Sequence, residues 1–202
     1  MSGQETDVCA RVLGDALEEK QVIERFLSAR SEEAFCALFE TMCVRVRRYY
    51  VLRGLDSATA EDLTQNVFVK IYRQIGELRE AAHFYGWMFA IVRNEMISYW
   101  RRDQVRIQEV GFASLEDRAS ASLFAELDIL PELRMTDLLK ALEPAERDLV
   151  LLRFVEGLSY EELAVALSLP LGTVKWRIFN ARKKLSRTIS ASPLCGARQT
   201  IN

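Results

Sequence analysis

Residues 159–189 read SYEELAVALSLPLGTVKWRIFNARKKLSRTI, and this pattern predicts two helices around a tight turn. Ser159, with Glu162 three residues later, has the form of a capping box. It opens a short helix holding Leu163, Ala164 and Leu167. Ser168-Leu169-Pro170-Leu171 is a turn, and Gly172-Thr173 opens a last helix running to about Ile189. A short helix, a tight turn and a small residue, Ala164, where the helices must approach make a helix-turn-helix.

At about 100° per residue around the last helix, Val174, Ile178, Ala181 and Leu185 fall together and face the core. Trp176, Phe179, Asn180, Lys183 and Arg187 fall on the outward side. Lys175 and Arg182 lie on one flank, Arg177 and Lys184 on the other. This layout suits a helix in a DNA major groove. Its centre meets base edges and thymine methyls, and its flanks meet the two phosphate backbones. The plainer reading is a solvated charged face, with Trp176 and Phe179 packed on a partner helix. The helix-turn-helix spacing decides for DNA.

The charge is partitioned to match. Glu162 is the last acid in the chain, and residues 163–202 hold seven bases, a local charge of +7. Residues 1–162 hold 20 bases and 29 acids, or −9, and the two sums give the net −2. The near-neutral total, which by itself argues against a nucleic-acid partner, is an average over two unlike parts. Each phosphate contact adds salt-dependent affinity. A handful of them suits a weak, helper-dependent binder.

Working outward, the second module begins near Leu133. Met135, Leu138, Leu139 and Leu142 belong to one helix that ends before Pro144. Ala145 to Val155 form the next, which stops at Gly157. Residues 103–132 differ: seven acids (Asp103, Glu109, Glu116, Asp117, Glu126, Asp128, Glu132) stand against Arg106 and Arg118. Gly111, several Ser and Ala, and Pro131 weaken a long helix, so the stretch reads as a flexible acidic linker with a short helical piece near Leu123 to Leu130.

The first module is a helical bundle. Residues 17–30 form one helix, and Ser31 caps the next, with Glu32 and Glu33 at its positive start. That helix carries Phe35, Leu38, Phe39, Met42 and Val46 and closes near Arg53-Gly54. After a turn at Asp56-Ser57, Thr59-x-x-Asp62 has the form of a capping box. The third helix runs from about Ala60 to Ile75 with Phe68, Ile71, Tyr72 and Ile75 as its apolar stripe. The fourth runs from about His83 to Arg102 with Phe84, Trp87, Met88 and Ile91 on one face. The expected architecture is all-α: two small helical domains, 17–102 and 133–189, joined by the linker 103–132, with flexible tails at 1–16 and 190–202.

Composition excludes much else. Half of the 202 residues are hydrophobic, and only 9 are Gly and 4 Pro, which rules out disordered and collagen-like chains. No apolar run approaches the roughly 20 residues of a membrane span. Met1 to Gly14 has no export-signal pattern. Cys9, Cys36, Cys43 and Cys195 are too scattered for a disulfide framework or a zinc site and read as reduced thiols. His83 is the sole histidine, with no partners for catalysis or metal binding. No cofactor, metal or catalytic residue is expected.

Several motifs carry a resemblance. Asp62-Leu63-Thr64-Gln65-Asn66-Val67-Phe68-Val69-Lys70-Ile71-Tyr72, and Phe84-x-x-Trp87-x-x-x-Ile91-x-x-Asn94 followed by Arg101-Arg102, resemble region 2 of bacterial extracytoplasmic-function (ECF, group IV) RNA polymerase sigma factors. Leu142-Glu143-Pro144-Ala145-Glu146-Arg147, Gly157-Leu158-Ser159-Tyr160-Glu161-Glu162-Leu163-Ala164 and Gly172-Thr173-Val174-Lys175-x-Arg177-x-Phe179-x-Ala181-Arg182 resemble region 4. The resemblance covers roughly residues 17–189. It implies two helical domains that dock on core RNA polymerase and place promoter DNA between them.

By that resemblance, Asp62, Gln65 and Asn66 would meet the clamp coiled coil of the polymerase. Asn66 stands where the family usually has an acid, so one charge of that interface is missing or replaced. The loop from Glu77 to Ala82 would capture a base flipped from the minus-ten element. Lys70, Gln74, Leu78 and Asn94 match the positions lining that pocket, and Arg93, Arg101 and Arg102 are candidates for backbone phosphates. An amide or ammonium at the base's polar edge and an apolar wall suit such capture. Phe84 and Trp87 are read as core. Thr173, Lys175, Trp176, Arg177, Phe179, Asn180, Arg182 and Lys183 would serve the minus-thirty-five element. The family commonly has a small hydroxyl residue at Trp176 and an Arg at Asn180. Arg prefers guanine and Asn adenine, so a changed sequence preference is expected. The resemblance further implies that the acidic linker threads a polymerase channel meant for nucleic acid. It also implies a cytoplasmic location and an anti-sigma factor, often membrane-anchored, as partner.

The competing reading is a stand-alone helix-turn-helix regulator whose first domain senses a ligand or dimerises. A third, an enzyme with a DNA-binding tail, fails for want of a catalytic set or a Gly-rich phosphate loop.

Overall fold

The computed structural model describes residues 18–78, 80–110, 139 and 142–191. Among them every regular element is helical. Helix α1 spans 18–29 and buries Ile23 and Phe26. It ends at Arg30, whose positive φ of 48° turns the chain. Ser31 caps α2 (Glu32–Leu52) as the sequence predicts, its Oγ accepting from the Ala34 N–H at 3.2 Å. Arg53 closes α2, and Gly54 at φ 92° makes the reversal that disfavours a residue with a Cβ.

Helix α3 (Ser57–Gln74) is capped differently from expectation. Asp56 is the N-cap: its carboxylate accepts from the Thr59 N–H at 3.1 Å and from the Thr59 hydroxyl at 2.7 Å. Thr59 therefore lies inside the first turn. The misreading came from spacing alone, because Asp56 and Thr59 both offer cap chemistry three residues apart. Two short 3-10 turns, Ile75–Glu77 and Ala81–His83, lead into α4 (Phe84–Val110). This helix continues eight residues into the stretch read as linker. Gly111 is the first residue able to weaken it, so nothing in 103–110 stops a helix already formed. The rest of the linker, the helix around Met135 and Leu138, the tail 1–16 and residues 192–202 of the other tail lie outside the described residues; residues 190 and 191 continue the last helix.

The second module contributes α5 (Pro144–Val150), which widens into a π-helical turn, Leu151–Val155. Pro144 is its first residue, not a breaker before it, as suits a residue lacking an N–H. Helix α6 (Tyr160–Leu167) has the predicted reciprocal cap: the Glu162 N–H donates to Ser159 Oγ at 3.1 Å and the Ser159 N–H to Glu162 Oε2 at 2.7 Å. Ser168, left-handed at φ 53°, ends it, and α7 (Leu171–Ala191) begins at Leu171, one residue before the expected start.

The buried apolar side chains of both modules form one continuous cluster. Phe84 is fully buried and Trp87 packs at the cluster's edge, as predicted. Tyr72 is the exception on the α3 stripe. It is half exposed, its ring set edge-on to Phe35 and stacked on Phe26.

The two modules are docked. Helix α4 crosses α6 so closely that a Cβ on Gly86 would lie 2.9 Å from the Glu162 carbonyl oxygen and 3.2 Å from Val165 Cβ. Beside that crossing, the second module inserts two buried carboxylates between arginines of the first. Glu156 pairs with Arg45 (3.1 Å) and Arg48 (2.8 Å). Asp148 accepts from the Tyr49 hydroxyl at 2.8 Å and pairs with Arg93 at 3.4 Å. Arg53 Nε is 2.8 Å from Asp148 Oδ1, a close ion pair outside hydrogen-bond geometry. Burial, and then the Asp148 charge, push the Tyr49 hydroxyl well above its ordinary pKa, so it is a fixed proton donor.

Candidate nucleic-acid and partner interface

Helix α7 divides as its periodicity predicts. Val174, Ile178 and Ala181 are buried and Leu185 packs beside them. Trp176 and Phe179 are each 66% exposed, the most exposed large apolar side chains among the described residues. Exposed Lys175, Arg182 and Lys183 and half-buried Thr173, Arg177 and Asn180 surround them. Large aromatics held outside their own core mark an interaction face. The expected helix-turn-helix face is thus assembled on one helix. Lys184, on its flank, is held by Glu146 at 2.7 Å, tying α7 to α5. The Glu146 carboxyl, despite some burial, is held below its ordinary range by hydrogen bonds from Lys184 and the Glu143 N–H.

In the first module, α3 presents Asp62, Gln65 and Asn66 to solvent while Leu63, Thr64, Val67 and Phe68 turn inward. The three residues predicted for the polymerase therefore share one exposed face near the helix start. Two turns on, Lys70 and Gln74 are exposed, Leu78 packs half-buried on the core, and Asn94 is exposed on α4.

The cations predicted for minus-ten DNA meet different fates. Arg101 is exposed. Lys70 on α3 pairs with Glu95 on α4, and Arg102 approaches the same carboxylate at 3.6 Å. Arg93 instead faces Asp148 of the second module. Sequence reading missed the two acids that organise these cations, Glu95 and Asp148, and with them Glu156, which holds Arg45 and Arg48; all three are buried. One signal was available for Glu95. It lies three and seven residues after Val92 and Met88, on the buried stripe of α4, where an acid needs a partner.

His83 and Glu80 are both exposed, 3.6 Å apart. Cys36 and Cys43 are free thiols, and Cys9 and Cys195 lie outside the described residues. Among the described residues no three His, Cys, Asp or Glu side chains are placed to share a metal ion, and no helix is long and apolar enough to cross a membrane.

Comparison with known proteins matches two segments of the chain. Residues 38–106 match Sigma-70 region 2, and residues 132–185 match Sigma-70, region 4. The chain is 31% identical over 180 residues to RNA polymerase sigma factor CarQ of Myxococcus xanthus, covering 87% of this chain and 100% of that protein. It is 29% identical over 184 residues to the ECF RNA polymerase sigma-E factor of Escherichia coli K12, covering 84% and 96%. In fold it is similar to CnrH in complex with the cytosolic domain of CnrY (TM-score 0.62, 24% identity, 87% of this chain and 99% of that one). It is also similar to the sigma factor RpoE in complex with the anti-sigma factor NepR from Bartonella quintana (TM-score 0.63, 22% identity, 76% and 95%).

Proposed function

The chain belongs to the ECF sigma factors of bacterial RNA polymerase, alternative sigma factors that direct the enzyme to promoters, and on that premise we propose how its residues divide the work. The α7 face lies in the major groove of the minus-thirty-five element. Trp176, Phe179 and Asn180 meet base edges, and Lys175, Arg177, Arg182 and Lys183 meet phosphates, with Thr173 at the helix start. Asp62, Gln65 and Asn66 dock on the polymerase clamp. Lys70, Gln74, Leu78 and Asn94 hold an unpaired base of the minus-ten element, and Arg93, Arg101 and Arg102 hold its backbone.

No bond is made or broken by this chain. Strand opening costs a few kcal/mol, offset by binding of the unpaired base. The observation that carries the reading is the doubly aromatic, cation-flanked outer face of α7, with Trp176 and Phe179 each 66% exposed. Electrostatic attraction from a tail of +7 suits weak duplex binding that polymerase completes.

The geometry has one requirement. The two promoter elements lie about 25 base pairs apart, about 85 Å at ~3.4 Å per pair. Two docked modules of this size have a radius of gyration of about 14–15 Å. The modules therefore separate when both elements are engaged, which frees Arg93 from Asp148. An anti-sigma factor is the expected inhibitor, covering the polymerase-binding surfaces, and the site of action is the cytoplasm, where the polymerase works. The test is binding of the purified chain to core polymerase followed by run-off transcription. Tight operator binding without polymerase would favour a stand-alone regulator instead.

A further inference from the structure

Glu95 is the buried acid of the first module among the described residues, its side chain only 5% exposed. Its carboxylate is shared: one oxygen takes the Lys70 ammonium from α3, and the other lies 3.6 Å from Arg102 on its own helix. Lys70 and Arg102 are themselves largely open, at 47% and 67% exposure. The charge is therefore buried on one side of the pair only. Burying a carboxylate is costly, and an apolar residue on this stripe would pack as well or better. The fold alone does not call for an acid here.

We infer that Glu95 is a positioning residue for base capture: it fixes the half-exposed Lys70 ammonium, with the remaining Lys70 N–H donors left for the acceptor edge of an unpaired base. An untethered lysine is a mobile point charge that settles on any phosphate. Tied to Glu95, it keeps two of its three donors in a defined place. The same carboxylate lowers the charge of the Lys70–Glu95–Arg102 trio to +1. That trims sequence-independent phosphate affinity and leaves a larger share of binding to the base. The inference rests on the minus-ten role proposed above for Lys70.

The test uses the full chain with core polymerase and templates carrying each of the four bases at every minus-ten position. Glu95→Gln and Glu95→Met remove the charge and leave Lys70 solvated, so both fold, with melting temperatures at or above the parent's. Each lowers discrimination about tenfold, within the range of a well-placed base contact. The loss falls at the position that Lys70→Ala also disturbs. The slope of log affinity against log salt steepens by about 0.7, one added single-strand phosphate contact. Glu95→Asp keeps the parent slope. In a Lys70→Ala background Glu95→Gln changes base preference no further. A Gln variant with parental discrimination, or a further tenfold loss in the Lys70→Ala background, overturns the inference. Should Glu95→Gln unfold, Glu95→Met carries the same test: parental discrimination overturns the inference, and a loss at the position that Lys70→Ala disturbs supports it. Parent protein that initiates at promoters while the variants behave as the parent refutes Glu95 alone. Parent protein that does not initiate refutes the sigma reading as well.

Discussion

On the assignment proposed above Asn180 and Trp176 of α7 meet bases, where the resemblance to the family implies an Arg and a small hydroxyl residue. An amide pairs with the N6/N7 edge of adenine, a guanidinium with the O6/N7 edge of guanine. Asn180→Arg should move the preferred base at one minus-thirty-five position from adenine toward guanine, a change worth about 1–3 kcal/mol. Selection from a randomised minus-thirty-five library reads it, and an unchanged preference refutes the assignment. Trp176→Ala separates function from fold. The ring is 66% exposed, so melting should shift by the ~0.5 kcal/mol or less of a surface change, while promoter-complex formation weakens severalfold. A large loss of stability would instead place Trp176 in a packing role.

At the scale of elements, capping and close approach make separate predictions. Asp56→Ala removes the side-chain cap of α3 and should cost about 1 kcal/mol in chemical denaturation. Against some burial, hydrogen bonds from Thr59 hold the Asp56 carboxyl below its ordinary pKa. A lowered folded-state pKa contributes stability that is complete above the unfolded value, near pH 4, and is lost as pH falls through the folded value. The gap between parent and variant should therefore be constant near pH 7 and close below about pH 4; a gap that widens in acid contradicts the cap. Gly86→Ala puts a methyl 2.9 Å from backbone of α6. The helices must part there, so the variant should weaken module docking without melting either module. The periodic features of these elements were legible in the sequence: Ser31 and Ser159 as caps, the Val174/Ile178/Ala181 stripe, and outward Trp176 and Phe179. They are local, set by spacing along one helix. The cap at Asp56 was not, because Asp56 and Thr59 both offer cap chemistry; nor was the reach of α4 to Val110, because the acidic composition of 103–132 reads as linker although nothing before Gly111 stops the helix.

For the whole molecule, charge is organised by contact. Four arginines of the first module surround Asp148 and Glu156 of the second. Nothing in one sequence shows such pairing, since the partners lie 55 to 111 residues apart. For the same reason the sequence placed Arg93 with DNA candidates and could not reveal its ion pair with Asp148. Glu156→Ala takes its carboxylate from Arg48 and one of two from Arg45, which keeps Glu19 at 2.7 Å, and should cost the docked state less than the ~3–5 kcal/mol of breaking a fully buried pair. Because the clasp lies between the modules and not within either, the loss should appear as separation, a larger radius of gyration in X-ray scattering with helix content unchanged. An unaltered radius would show that the clasp does not hold the modules together. The central claim concerns promoter-directed initiation, and run-off transcription from a promoter library with core polymerase tests it most directly. The account predicts initiation only when chain and polymerase are both present, from templates sharing two elements about 25 base pairs apart, the upstream one lost with Trp176→Ala. Tight, sequence-specific DNA binding by the chain alone, with no initiation when polymerase is added, would contradict it.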